Sequence, residues 1–126
     1  MKHGFFKTAA ETVPIKTADP GFNAENIIAA MQKAEENKVK LLVFPELCLT
    51  GYTSGDLFFQ DELREKAVSA LFKVLSASKN TGAVTFLGLP LVNNSKLYNC
   101  AAAIYKGEIL GIIPKSFIPN YCEFYE

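Results

Sequence analysis

The sequence predicts a layered α/β domain, and three observations carry that prediction. Short, nearly continuous apolar runs recur and stop at proline, as in 41-LLVF-44 before Pro45 and in residues 83–89 before Pro90. Between them lie two longer stretches whose apolar residues repeat at helical spacing. The resulting order is β-α-β-α-β-β-β, and strand–helix–strand units build layered sheets.

Taken in order, residues 5–10 read as a first short strand. The loop after it contains Val13-Pro14 and Asp19-Pro20-Gly21, which argue against regular structure there. Asn23 is the expected cap of a helix reaching about Lys38, with Ile27, Ile28, Met31 and Ala34 on its apolar stripe. Residues 40–44 then read as a strand buried on both faces, which puts Pro45-Glu46 at its carboxyl end. Thr50-Gly51-Tyr52 and Ser54-Gly55-Asp56 make a turn-rich loop.

Asp61 is the expected cap of a second helix to about Lys79, striped by Leu63, Ala67, Leu71, Val74, Leu75 and Ser78. Gly82, just past its end, suits a left-handed cap. Residues 83–89 form the next buried strand, ended by Pro90. Asn93-Asn94-Ser95 is a turn, and Lys106-Gly107 joins strands over 97–105 and 109–113 as a hairpin. No repeat, low-complexity segment or linker interrupts the chain, so residues 1–126 read as one continuous piece of core.

Composition excludes several functional classes. Thirteen basic residues balance thirteen acidic ones. That argues against a dedicated surface for nucleic acid or an anionic membrane, which needs a positive field. No apolar stretch approaches the roughly 20 residues of a membrane span, and the amino terminus lacks the apolar core of a signal peptide. Cys48, Cys100 and Cys122 are odd in number and widely spaced. They suit free thiols in a reducing cytoplasm better than a disulfide framework or metal site. His3 is the only histidine, so a Cys–His nucleophilic pair is poorly supported, and no glycine pattern for a nucleotide phosphate is present.

Two charged residues follow apolar strands. Ligand sites of open α/β sheets lie beyond the carboxyl ends of strands. Glu46 stands at such an end. Desolvation there would raise a carboxylate's pKa toward neutrality and suit it to proton transfer. Position alone equally allows a strand-end carboxylate facing water. Lys115 follows 109-ILGIIP-114 and, if buried, needs a partner, for which Glu46 is a candidate. A solvated turn lysine fits the same position. Residues 119–126 pack three aromatics and two acids together, as a pocket wall or as ordinary core. The chain stops within this aromatic and acidic segment, which reads as a cut inside a larger domain.

At these places the sequence resembles a known family. Leu42-Val43-Phe44-Pro45-Glu46-Leu47-Cys48-Leu49-Thr50-Gly51-Tyr52 is similar to the first signature of the nitrilase (carbon–nitrogen hydrolase) superfamily, and residues 114–126 are similar to its second. The order is the family's, and the resemblance spans essentially the whole chain. Residues 50–58, with the Asn120-Tyr121 and Glu123-Phe124-Tyr125-Glu126 order around Cys122, further resemble the glutaminase domain of glutamine-dependent NAD+ synthetases.

The resemblance implies an α-β-β-α sandwich, of which this chain supplies about the first half. It implies Glu46 as the general base for a thiol, Lys115 as the cation stabilising a tetrahedral oxyanion, and Glu123 as an additional glutamate of the pocket. Tyr52 and Tyr121 are implied as walls of a glutamine site. The family's cysteine nucleophile lies on a later strand, and none of the three cysteines matches it, so the isolated chain is expected to be inactive. The implied glutaminase reaction needs no cofactor or metal; ATP is used by a separate C-terminal synthetase domain. A homo-oligomer is expected. The alternatives are another amidase of the superfamily and a non-catalytic interaction module. Half a sandwich also exposes apolar faces, which predicts self-association or poor solubility.

Overall fold

A computed structural model of the chain describes residues 3–121, 124 and 125, with the backbone alone for 120, 121, 124 and 125. Five strands form one sheet in the order of the chain: β1 (Thr8–Ala10), β2 (Leu41–Val43), β3 (Val84–Asn93), β4 (Lys96–Tyr105) and β5 (Glu108–Pro114). β1, β2 and β3 run parallel, and β3, β4 and β5 antiparallel. A short pair, β6 (Asn120–Tyr121) and β7 (Phe124–Tyr125), follows.

The parallel strands need crossovers, supplied by helices α1 (Pro20–Glu36) and α2 (Asp61–Ala77). Two consecutive crossovers of the same hand, each moving one strand along, put both helices on one face of the sheet. Ile27 and Met31 of α1 and Leu71 and Val74 of α2 pack there against Leu42, Leu87, Leu89 and Ile104. The opposite face has no helix among the described residues. Val43 on β2 is 40% exposed and Ile113 on β5 is 50% exposed. β2 is therefore buried on one face and not on two, which corrects the expectation drawn from its apolar run.

Other sequence expectations also change. α1 starts at Pro20, because Asp19 caps it by accepting from the Phe22 N–H, 3.1 Å, and proline suits the first helical position. Pro20-Gly21 opens the helix instead of breaking the chain, and Asn23, the expected cap, lies inside it. Asp61 occupies the first turn of α2, with Gln60 as the cap. Gly82 is not left-handed; among glycines, 4, 51, 55 and 107 are.

Pro90 does not end β3, which continues to Asn93. Val84, Phe86 and Gly88 direct their polar backbone toward β2 and the loop beyond it: the Val84 N–H donates to Lys40, and the Phe86 and Gly88 carbonyls accept from Phe44 and Leu49. By this alternation the missing N–H of Pro90 falls on that same side, where β2 has already ended. Both hairpin turns match their sequences. Asn94 and Ser95 (φ 48° and 62°), and Lys106 and Gly107 (φ 47° and 85°), take the left-handed backbone that two-residue turns require.

Candidate active site

The site lies where β2 and β5 end. Beyond β2 the chain turns sharply through Pro45, Glu46 and Leu47, and Leu47 has φ 53°, an unfavourable value for a bulky side chain. Such a conformation persists only when its surroundings over-determine it. The surroundings do so here. The Leu47 carbonyl accepts from the N–H groups of Thr50 (3.0 Å) and Gly51 (2.8 Å). The Leu49 N–H donates to the Gly88 carbonyl, 3.1 Å. The Gly88 N–H donates to Cys48 Sγ, 3.3 Å, and that thiol lies 3.7 Å from the Gly88 carbonyl.

Gly88 is the post on which this loop rests. A β-carbon there would lie 2.2 Å from the Leu47 nitrogen and 2.7 Å from the Glu46 backbone. From the other side, fully buried Asn23 of α1 donates to the Leu49 carbonyl, 3.0 Å. The same side chain accepts from the Lys16 N–H (2.7 Å) and donates to the Lys16 carbonyl (2.9 Å). Asn23 thus ties helix, preceding loop and Glu46 loop together. After the loop, 3-10 turns over Tyr52–Phe59 are broken at Thr53 and Gly55.

Lys115 arrives from β5. Its N–H donates to the Asn99 carbonyl, 2.8 Å, one step beyond the Cys100–Pro114 pair of the β4–β5 ladder. Its ammonium donates to Glu46 Oε2 at 2.9 Å. The Asn99 amide donates to the same oxygen at 3.0 Å. The Glu46 side chain is 48% exposed and that of Lys115 28%. The expected desolvation of Glu46 is therefore not met: its carboxylate is paired yet still half open to solvent.

A cavity of about 480 Å³ opens beside Lys115 and Asn99, and Glu46 lines a second one of about 550 Å³ with the same two residues. Leu47, Tyr52, Phe58, Tyr98, Asn99 and Lys115 are among the walls of the first. Tyr52, expected as a wall of a glutamine site, lines this first cavity. Glu123 lies outside the described residues, as does the side chain of Tyr121. Asn99 and Gly88 were not singled out by the sequence. A polar residue within the apolar run 97–105 was the available signal for the first, and a glycine inside a strand for the second.

Cys48 and Cys100 behave as core. Cys48 is 3% exposed, and burial pushes its thiol from an ordinary value of 9.0 up to about 11. Burial also raises the Cys100 thiol. A thiol acts as a nucleophile through its thiolate, which both environments disfavour. Cys122 lies outside the described residues. Among the described residues no cluster of three His, Cys, Asp or Glu could hold a metal ion, and no helix is long and apolar enough to cross a membrane.

Comparison with known proteins agrees with this architecture. Residues 7–121 match the carbon–nitrogen hydrolase family. The chain is 37% identical over 125 residues to the glutamine-dependent NAD(+) synthetase of Mycobacterium tuberculosis, covering 99% of this chain and 18% of that protein. The crystal structure of a glutamine-dependent NAD(+) synthetase from Cytophaga hutchinsonii superposes with a TM-score of 0.82 at 32% identity, over 88% of this chain and 19% of that one. An amidase of the nitrilase superfamily from Nesterenkonia, as a mutant, superposes with a TM-score of 0.81 at 22% identity, over 92% of this chain and 45% of that one. At that identity the likeness is one of fold. The chain thus spans about a fifth of the length of the synthetases it matches. It belongs to the carbon–nitrogen hydrolase family.

Proposed function

We propose that these residues supply the proton-transfer and oxyanion-stabilising half of a glutamine amidohydrolase centre, which releases ammonia for ATP-dependent NAD+ synthesis. The observation that carries the reading is the Lys115 ammonium 2.9 Å from Glu46 Oε2, at the rim of a cavity walled by Tyr52 and Phe58. The two residues are 69 positions apart, and the fold brings both strand ends to one place.

In this reading Glu46 takes the proton of a cysteine thiol supplied from outside these 126 residues. The thiolate attacks the side-chain amide carbon of glutamine, and the carbonyl π electrons move onto oxygen. Lys115 stabilises that oxyanion, because a cation beside developing negative charge lowers the barrier more than it favours the neutral ground state. Collapse of the tetrahedral species expels ammonia, protonated by Glu46, and leaves a thioester. Water, deprotonated by the same carboxylate, then releases glutamate and the thiol. The family resemblance adds Glu123 and Tyr121 to this reading as residues of the glutamine site. The amide hydrolysis requires no metal or cofactor; ATP serves a separate synthetase domain.

The test is a substrate panel on the full-length gene product. Ammonia release from glutamine should exceed that from asparagine, acetamide and simple nitriles, and Glu46→Gln should reduce it by about 10³-fold, within the range of general acid–base contributions. Preference for a nitrile or a short aliphatic amide would replace glutamine in this reading. Full activity in Glu46→Gln would refute the role of the carboxylate.

A further inference from the structure

Glu46 offers two carboxylate oxygens, and a base must present one of them to the thiol. Both side-chain donors in contact with it choose the same atom: Lys115 Nζ at 2.9 Å and Asn99 Nδ2 at 3.0 Å both reach Oε2. Among the described residues no donor reaches Oε1. The orientation of the Asn99 amide follows from chemistry, since an ionised carboxylate only accepts hydrogen bonds and must face the NH₂ group. The backbone of Asn99 acts on the other partner, accepting from the Lys115 N–H at 2.8 Å. One residue of β4 therefore holds the carboxylate of Glu46 and the main chain of Lys115 together.

We propose that Asn99 is a positioning residue for proton transfer, which fixes Glu46 through Oε2 so that Oε1 is the oxygen presented to the thiol. The inference rests on the glutamine hydrolysis proposed above. A lysine alone would not make this choice reliably. Its ammonium is a point charge on a flexible four-carbon stem and can follow either oxygen as the carboxylate rotates. The amide is short, and its backbone is fixed in β4, opposite Pro90 of β3. It is neutral and does not titrate in the working range, so it orients the base without competing for the proton. An oxygen that already accepts two hydrogen bonds is the poorer proton acceptor, and transfer is directed to its neighbour.

The experiment compares Asn99→Leu, Asn99→Asp and Asn99→Gln in the full-length gene product, with wild type and Glu46→Gln as references. Leucine keeps the approximate volume and removes the donor. Aspartate keeps the shape but sets a second carboxylate against Glu46. Glutamine keeps the amide, and the adjoining cavity has room for its extra methylene. The expected result is a fall in kcat for glutamine of about 30- to 100-fold in Asn99→Leu, with KM within about threefold of wild type. Asn99→Asp should fall at least as far, and Asn99→Gln should recover about tenfold relative to leucine. Thermal midpoints within a few degrees of wild type confirm that the loss is not unfolding. Unchanged kcat in Asn99→Leu, a loss confined to KM, or no recovery in a folded Asn99→Gln would overturn the proposal. Glutamine activity that survives in Glu46→Gln, or is absent from wild type, would instead remove the amide-hydrolysis reading and the inference with it.

Discussion

Glu46 and Lys115 reach the same contact with different support behind them. Glu46 follows a strand paired on both sides, and its loop is fastened from one side by Gly88 and from the other by Asn23. Lys115 follows β5, which has one partner strand in the sheet and is exposed at nearly every position. Its main-chain N–H donates to the Asn99 carbonyl and its ammonium to the Glu46 carboxylate. The carboxylate is thus positioned by a loop fastened to the core, and the ammonium reaches it from an exposed edge strand. Changes under the Glu46 loop should cost stability and distort the site together. Changes to the pair should leave the fold intact.

The largest effect should come from Gly88→Ala. The added methyl group would collide with the backbone of Glu46 and Leu47, which cannot rotate aside as a side chain could. A destabilisation of about 3 kcal/mol or more is expected, at or above the usual upper range of overpacking, measured by urea denaturation. Survival of full stability would show that the loop is less firmly seated than described. Asn23→Leu should come next, at about 2–3 kcal/mol. It leaves the Leu49 carbonyl and both polar groups of Lys16 without their present partner, while roughly preserving volume.

A smaller effect depends on pH. The Cys48 thiol is raised in the folded state, so its contribution to stability is fully present below about pH 9 and is lost as pH rises toward 11. The unfolded chain releases that proton first, which pulls the equilibrium toward unfolding. The loss should reach about 2 kcal/mol, and Cys48→Ala should flatten that part of the profile. An unchanged alkaline slope in the variant would show that other groups cause it. The same burial predicts that Cys48 in the native protein reacts slowly with thiol reagents at pH 8 and rapidly after unfolding.

The sequence made some of these features legible and hid others. Apolar runs marked β2 and β3, and so located Glu46 at a strand end, because a buried strand needs apolar side chains wherever it runs. Lys106-Gly107 marked its hairpin through local backbone chemistry. Pro90 looks like a strand end in the sequence but is not one, because the rule against proline depends on which side its missing N–H faces, and that is set by where β2 stops. Pro20-Gly21 looks like a break but opens α1, because proline is unfavourable within a helix yet suited to its first turn. The expected burial of Glu46 failed for a related reason: the strand's apolar run describes the core behind it and says nothing of the solvent in front. Asn99 was invisible as a site residue because its contact with Glu46 joins positions 53 apart and exists only after β4 has paired with β3.

The most direct test of the central claim is a double-mutant cycle on Glu46→Gln and Lys115→Met in the full-length gene product, reading glutamine hydrolysis and stability on the same samples. A partly exposed ion pair contributes at most about 1 kcal/mol to folding, so each variant should melt close to wild type. Each single change should lower kcat/KM for glutamine by at least about 10³-fold, with the double variant little worse than either, because the two groups act on one transition state. Singles that retain activity within about tenfold of wild type, or that lose it only in proportion to lost stability, would contradict the claim and leave the pair a structural contact.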